Sequence, residues 1–147
     1  MTNGYMDAAL EEARLAAQRG EVPVGAVLVR NGEMIARAGN RTLELNDPSA
    51  HAEMLVIRDA CQQLQSQRLP DCDLYVTLEP CTMCAAAISF ARIRRLYFAA
   101  DDPKGGAVQN GVCFFEQPTC HHSPEWYSGL SEKSAAELLT HFFKSRR

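Results

Sequence analysis

The sequence predicts an α/β protein in which helices cover both faces of one mixed sheet, a three-layer α/β/α sandwich. Segments with the three- and four-residue spacing of amphipathic helices alternate with short β-branched runs along the chain. Such alternation is typical of crossover connections that place helices on both sides of a sheet. The 147 residues, 46% of them hydrophobic, contain no internal repeat and no low-complexity stretch. We therefore expect a single domain over residues 1–147.

The N-terminal segment carries a helix signal followed by a hairpin signal. Apolar residues recur at helical spacing over residues 6–19, and Gly20 closes that helix. The β-branched run over residues 24–29 predicts a strand. Asn31-Gly32 favours a two-residue turn, so residues 33–38 should return antiparallel to that strand.

The middle of the chain predicts two helices and two strands. Ser49 is a candidate N-cap for a helix over residues 50–64. Short apolar strands are expected over residues 74–78 and 95–99, and an alanine-rich helix over residues 81–91 lies between them. The buried face of the first helix should include Leu55, Ala60, Cys61 and Leu64.

The last third of the chain is less regular. We expect a short helix over residues 107–116, a weak strand over residues 125–128 and a terminal helix over residues 131–144. Cys72 is expected in a loop. We interpret Cys120-His121-His122 as exposed polar residues, because consecutive histidines in a loop are more often exposed than metal-bound.

The strongest chemical signal lies in His51-Ala52-Glu53 and Cys81-Thr82-Met83-Cys84. One imidazole and two thiolates fill three corners of the tetrahedron that Zn²⁺ prefers, which leaves a position for water, as in catalytic sites. One zinc ion per chain would lower the pKa of that water from 15.7 to about 7 and supply a hydroxide nucleophile. Glu53, beside the ion without binding it, would accept the proton and return it to the leaving group. This chemistry suits hydrolytic loss of ammonia from an amidine-like ring carbon.

The spacing constrains where the two helices begin. Cys81 and Cys84 are three apart and lie on one helix face. His51 and Glu53 are about 200° apart around an ideal helix, so in mid-helix they would diverge. They converge only if the helix begins near His51 and points its first turn at the metal. The dipole at a helix N-terminus also favours the thiolate form of cysteine.

Other interpretations of the cysteine pair remain open. Cys81 and Cys84 alone could form a redox pair or half of a structural zinc ribbon, with Cys72 or Cys113 as a further ligand. A redox pair has no use for the histidine or the glutamate. Neither extra cysteine has a partner at metal-ligand spacing.

The overall charge gives no general attraction to nucleic acid. The net charge is −3, whereas phosphate binding usually accompanies an excess of Lys and Arg. Local basic clusters remain candidates, although each is more often a solvated face; they are Arg92, Arg94, Arg95 and Lys104, and the tail over residues 144–147. No apolar stretch approaches the ~20 residues of a membrane helix, and the N-terminus lacks the features of a signal peptide. We expect a cytoplasmic protein with no membrane partner.

With their flanking residues, the His-x-Glu and Pro-Cys-x-x-Cys motifs resemble those of the bacterial tRNA adenosine deaminases, members of the cytidine and deoxycytidylate deaminase superfamily. The resemblance runs from about Met6 to the C-terminus. The segments that carry it are residues 22–27, 39–41, 47–53, 74–84, 101–106 and 142–144.

The resemblance implies a five-stranded, cytidine-deaminase-like fold, a homodimer, and conversion of the wobble adenosine of a tRNA anticodon to inosine. It also implies that Asn40 contacts the target nucleoside and that Val24 packs against its base. The residues implied to meet the rest of the anticodon loop or to flank the RNA groove are Asp102, Lys104, Phe142 and Phe143.

Two other functions share part of this pattern. A deaminase of a free base, guanine or cytosine, would use the same metal ligands but would need no RNA contacts. A non-catalytic zinc-binding module would have no use for Glu53. Residues 102–106 and the basic tail favour RNA, although the acidic net charge weakens that preference.

Overall fold

Helices and strands alternate through residues 2–146, the part of the chain that the computed structural model describes. The helices are α1 (Thr2–Gln18), α2 (Ala52–Leu64), α3 (Thr82–Phe90) and α4 (Glu132–Ser145), with a 3-10 turn at Phe114–Glu116. The strands are β1 (Gly25–Arg30), β2 (Glu33–Gly39), β3 (Cys72–Leu78), β4 (Arg95–Ala100) and β5 (Glu125–Ser128). Among the described residues, no helix is long and apolar enough to cross a membrane.

The strands form the expected mixed five-stranded sheet, and their order is β2-β1-β3-β4-β5. β1 is antiparallel to β2 and β3, and the pairs β3/β4 and β4/β5 are parallel. Asn31 and Gly32 form the predicted hairpin turn with φ values of 52° and 78°. Positive φ at both central residues matches the right-handed twist of the flanking strands.

Side chains alternate between the two faces of the sheet, and helices cover each face. On one face, Leu28, Val76 and Phe98 pack with Val56 of α2 and Ile88 of α3. On the other face, Val27, Tyr75 and Ala99 pack with Met6 of α1 and Ala135 of α4. Because the central strands are buried on both faces, most of their residues are apolar. The three-layer α/β/α prediction is confirmed.

Both helices of the predicted metal site begin where the metal-site geometry requires. α2 begins after His51 and α3 begins after Cys81, and both preceding residues have extended backbone. Ser49 is not the N-cap of α2, because that position is His51; the Ser49 hydroxyl donates to Asp47 over 2.7 Å. The Asn40 Oδ1 atom, from outside the helix, accepts the Ala52 N–H over 2.8 Å.

The predicted helix over residues 107–116 is wrong, since only the 3-10 turn forms there. The backbone N–H groups of Val108, Gln109 and Asn110 all donate to the Glu79 carboxylate at 3.0 Å and so make no helical hydrogen bonds. Cys72 is also not in a loop; it is fully buried as the first residue of β3.

Smaller differences concern the outer helices and one buried face. α1 begins at Thr2, four residues before the expected Met6, while the terminal helix and β5 fall within one residue of prediction. In α2, Ala60 is buried as expected, whereas Leu55, Cys61 and Leu64 are only partly buried. The buried residues of α2 are Ala52, Glu53, Val56, Ile57 and Ala60.

The three arginines of the first predicted basic cluster contact neighbouring groups of the protein. Arg94 donates two hydrogen bonds to Asp73, at 3.0 and 2.9 Å. Arg95 pairs with Glu125 at 3.6 Å, and the Arg92 side chain donates to the Ser89 carbonyl. Nearby carboxylates therefore offset part of the positive charge of Arg94 and Arg95. In Cys120-His121-His122, only His121 is exposed, while the His122 ring lies 2.7 Å from the Ile93 carbonyl oxygen.

Candidate active site

Three candidate metal ligands meet at the N-termini of α2 and α3. His51 and Cys81 directly precede these helices, and Cys84 lies in the first turn of α3. The Nδ1 atom of His51 lies 3.6 Å from Cys81 Sγ and 3.5 Å from Cys84 Sγ. All three ligand atoms lie within 4.8 Å of one another, and among the described residues this is the one such cluster of His, Cys, Asp and Glu side chains.

These separations fit a tetrahedral zinc ion. Zn–S bonds of about 2.3 Å and Zn–N bonds of about 2.0–2.1 Å, at tetrahedral angles, place a ring nitrogen and a sulfur about 3.6 Å apart. Two thiolates and an imidazole are ligands that zinc accepts, and three protein ligands leave the fourth corner to water or substrate. The donor set therefore fits a catalytic zinc ion.

The electrostatics of the cysteine pair favour metal binding. A hydrogen bond from the Cys84 thiol, and a further one from His51, lower the pKa of Cys81 to about 4. The same contact with Cys81, together with burial, raises the pKa of Cys84. The hydrogen bond to Cys81 also raises the pKa of His51. The pair thus holds one thiolate before any metal arrives, and a bound cation deprotonates a coordinating thiol outright.

Glu53 lies in the first turn of α2, beside the ligands but outside the ligand cluster. Its side chain is buried, at 4% exposure. Burial raises the pKa of its carboxyl group to about 7, and the negative charge of Cys81 acts in the same direction. A carboxyl group with a pKa near neutrality can both accept and return a proton at physiological pH.

A cavity of about 270 Å³ opens over His51, Glu53 and Cys81. Its other walls are formed by Val22, Val24, Asn40, Thr42, Leu78, Glu79, Asp102 and Gly105. Asn40 is nearly buried, and its Oδ1 is taken by the Ala52 N–H. That hydrogen bond orients the amide, so its Nδ2 donor remains for a ligand in the cavity. The structure thus brings Val24 and Asn40 together with the candidate metal ligands.

A larger groove of about 740 Å³ adjoins this cavity and shares four of its lining residues, Val22, Leu78, Asp102 and Gly105. Lys104 and Phe143 line the groove, together with other residues of α4. Phe142 lines neither space. It is 8% exposed and packs beneath Arg146, whose guanidinium carbon lies 4.4 Å from the ring centroid. The structure therefore brings Phe143 to the groove, but not Phe142.

Two cavity-shaping residues escaped the sequence interpretation. Glu79, at 2% exposure, accepts four backbone N–H groups from residues 102–110 and the Asn110 side-chain amide. Burial alone raises the pKa of Glu79, but these donors hold it below its ordinary value. Glu21, at 1% exposure, accepts the backbone N–H groups of Leu43 and Glu44. An acidic residue ending a buried strand, Leu78-Glu79-Pro80, was the available signal for the first.

A buried carboxyl group beside an open three-ligand metal site, on an α/β/α sandwich, has the arrangement of a catalytic rather than a structural zinc centre. Residues 2–100 match the family model described as the cytidine and deoxycytidylate deaminase zinc-binding region. Fold, site and match together define a zinc-dependent deaminase.

Individual relatives narrow this class. The tRNA-specific adenosine deaminase of Agrobacterium fabrum is 67% identical over 143 residues, covering 97% of this chain and 94% of the relative. A solved structure from a study of A-to-I editing by tRNA:A34 deaminases superposes with a TM-score of 0.92 at 68% identity, covering 92% of this chain and 99% of the other. A guanine deaminase structure from Bacillus subtilis gives a TM-score of 0.66 at 32% identity, covering 97% of this chain and 92% of the other. The chain belongs to the tRNA-specific adenosine deaminase family.

Proposed function

We propose that this protein hydrolytically deaminates adenosine to inosine at the wobble position of a tRNA anticodon. The single observation that carries the proposal is the adjacency of two spaces: the cavity over Glu53 shares four lining residues with a groove lined by Lys104 and Phe143. A free base needs only the cavity, whereas a nucleotide within a chain needs room for its neighbours. Two of the relatives described above, the Agrobacterium fabrum deaminase and the structure from the tRNA:A34 deaminase study, act on transfer RNA by name, which supports the same substrate here.

His51, Cys81 and Cys84 would hold one zinc ion per chain. Bound zinc supplies Lewis-acid activation of water, lowering its pKa from 15.7 to about 7. The ligand geometry and the family match to a zinc-binding region support this assignment. Because Cys81 and Cys84 both lie at the N-terminus of α3, the first-turn amides also favour their thiolate forms.

Glu53 would move the protons of the reaction. Addition of water to the amino-bearing carbon of adenine transfers one proton from water to the adjacent ring nitrogen. Collapse of the adduct transfers the second water proton to the amino group, which leaves as ammonia, while the carbon–oxygen double bond of inosine forms. A buried carboxyl group with a pKa near 7 suits both transfers.

The remaining cavity and groove residues would position the RNA. Asn40 would donate its Nδ2 hydrogens to the target nucleoside, and Val24 would pack against the base. Asp102, Lys104 and Phe143 would contact neighbouring nucleotides, since unstacked bases of RNA loops are read by hydrogen bonds and aromatic stacking. Phe142 is left out of these contacts, because its side chain is buried under Arg146.

We further propose a homodimer, a cytoplasmic location where transfer RNA is available, and a single catalytic domain over residues 1–147. Large apolar side chains remain exposed on α3, notably Phe90 at 70% and Met83 at 36%. A second copy of the chain would cover this helix. The small alanine side chains of α3 would let the two copies approach closely. Light scattering over a range of protein concentrations measures the oligomeric state.

The second candidate is deamination of free guanine, which the likeness to the Bacillus subtilis guanine deaminase favours. The decisive assay incubates the purified zinc-loaded protein with an arginine tRNA that has adenosine at the wobble position, and sequences the product for inosine. The same RNA with guanosine at that position, and the Glu53→Gln variant, serve as controls. Inosine formed only by the wild type on the adenosine substrate supports the proposal. Ammonia release from free guanine, without inosine in the RNA, would assign the second function.

A further inference from the structure

Glu79 is buried and lines the cavity, yet it belongs to neither the metal ligands nor the proton-transfer group. We propose that Glu79 is a positioning residue that fixes residues 102–110 in the shape that receives the substrate. This inference rests on the proposed function, since it names the residue that sets the substrate-facing wall of that site.

Both carboxylate oxygens of Glu79 are occupied by donors from this loop. Oε1 accepts the Asp102 N–H at 2.8 Å and the Asn110 side-chain amide at 2.6 Å. Oε2 accepts the N–H groups of Val108, Gln109 and Asn110, each at 3.0 Å. Hydrogen bonds to an ionised acceptor are shorter and stronger than neutral ones. One side chain thus holds both ends of the loop.

Gly106 allows the loop backbone to lie close to the Glu79 carboxylate. A Cβ atom at Gly106 would overlap the Glu79 carboxyl group and the Asp102 carbonyl oxygen, so the backbone approaches more closely than any other residue allows. Gly106 N–H in turn donates to the Asp102 carbonyl at 2.8 Å. A glycine at such a contact serves close backbone approach.

Through Asp102, Glu79 also fixes the backbone of the residues that line the groove. While Glu79 holds its N–H, the Asp102 Oδ1 accepts the N–H groups of Lys104 and Gly105, at 3.2 and 3.0 Å. These residues line the groove, and Asp102 and Gly105 also line the cavity. Because Glu79 precedes Cys81 by two residues, it ties this wall to the segment that carries a candidate metal ligand.

A second wall of the cavity is held in the same way. Glu21, equally buried, accepts the N–H groups of Leu43 and Glu44 at 3.2 and 2.9 Å and the Thr42 hydroxyl at 3.4 Å. Thr42 lines the cavity. Two loops from distant parts of the chain are therefore each organised by a buried carboxylate, which favours a role in shaping the site over chance packing.

Glu79→Gln is the sharpest perturbation, because it keeps the side-chain volume. Each carboxylate oxygen accepts at least two N–H donors, so the amide nitrogen of glutamine must oppose two or three of them in either orientation. Asn110→Ala removes one donor and leaves the carboxylate in place. The two variants therefore disturb the hydrogen bonds of the loop to different degrees, Glu79→Gln more than Asn110→Ala.

The experiment measures kcat, KM for the tRNA substrate, zinc content, and native-state hydrogen exchange in both variants. For Glu79→Gln we expect KM to rise about tenfold or more and kcat to change less than about threefold, because the loop contacts the substrate rather than the reacting atoms. Zinc should remain at one per chain, and the amides of Asp102, Val108, Gln109 and Asn110 should lose protection. Asn110→Ala should move KM in the same direction by less.

Leu69→Ala and Ile93→Val are matched controls, since both side chains are fully buried in the core and line neither space. We expect one of these controls to lose more stability than Glu79→Gln and the other to lose less. An unchanged KM in Glu79→Gln, a KM change that the controls reproduce, or loss of zinc would overturn the proposal. If Glu79→Gln does not fold, an unchanged KM in Asn110→Ala overturns it. If the wild type forms no inosine, the proposed function fails, while unchanged exchange of the four amides still overturns the anchoring.

Discussion

Replacing Glu53 with glutamine should stabilise the metal-free protein at alkaline pH while abolishing its activity. The carboxyl group is buried, and its pKa rises from an ordinary value of 4.5 to about 7, chiefly because of desolvation. Glutamine has nearly the same shape and stays neutral at every pH. The variant therefore resembles the protonated form of the wild type.

The sign follows from proton linkage. Below pH 4.5 the glutamate is protonated in both the folded and the unfolded chain, so it makes no difference to stability. Between pH 4.5 and about 7 the folded protein keeps a proton that the unfolded chain releases, so stability falls as the pH rises. Each pKa unit is worth about 1.36 kcal/mol, so the whole interval corresponds to about 3 kcal/mol above pH 7. Glu53→Gln escapes this loss.

The assay is urea unfolding of chelator-treated protein at pH 5 and pH 8. Relative to the wild type, Glu53→Gln should gain about 3 kcal/mol in the free energy of unfolding at pH 8 and much less at pH 5. Glu137→Gln, at an exposed position of α4, controls for the loss of one negative charge and should change little at either pH. An equal effect of Glu53→Gln at the two pH values would refute the assignment of a buried, protonated carboxyl group.

Five further substitutions, at four positions, test the walls of the site and the buried residue beside them. Asn40→Asp keeps the acceptor for the Ala52 N–H but removes the Nδ2 donor, so KM should rise with little loss in melting temperature. Asn40→Ala removes the acceptor as well. It should therefore also lower the free energy of unfolding by about 1 kcal/mol, measured with urea. Phe143→Ala should weaken tRNA binding in a filter-binding assay without lowering the melting temperature, while Phe142→Ala, at a buried position, should do the reverse. Gly106→Ala should destabilise the fold by about 1–3 kcal/mol, because the added methyl group overlaps Glu79, and calorimetry measures that loss.

The catalytic centre was predictable because its information is local. His51 and Glu53 lie in one short motif, Cys81 and Cys84 in another, and the chemistry of zinc requires both helices to begin there. The structure places both helix starts as required. The same locality made the hairpin at Asn31-Gly32 predictable, since turn chemistry depends on two residues.

The hydrogen bonds that shape the cavity walls were not predictable, because they join distant parts of the sequence. Val108 and Asn110 donate to Glu79 across 29 and 31 positions, and these bonds replace the helix that local spacing favours. Ser49 fits the N-cap pattern, yet the N-cap position is His51, and the Ala52 N–H donates to Asn40, twelve residues earlier in the chain. No single-sequence pattern records which remote acceptor an amide will find.

The way α2 and α3 begin has a consequence for any attempt to stabilise this enzyme. His51 and Cys81 occupy the N-cap positions, and neither side chain makes a capping hydrogen bond. Serine or aspartate at these two positions would be the conventional improvement, worth about 1 kcal/mol each. Either replacement would remove a metal ligand. These two N-cap positions therefore cannot be used for thermostabilisation. Substitutions that raise heat resistance have to be made elsewhere in the fold.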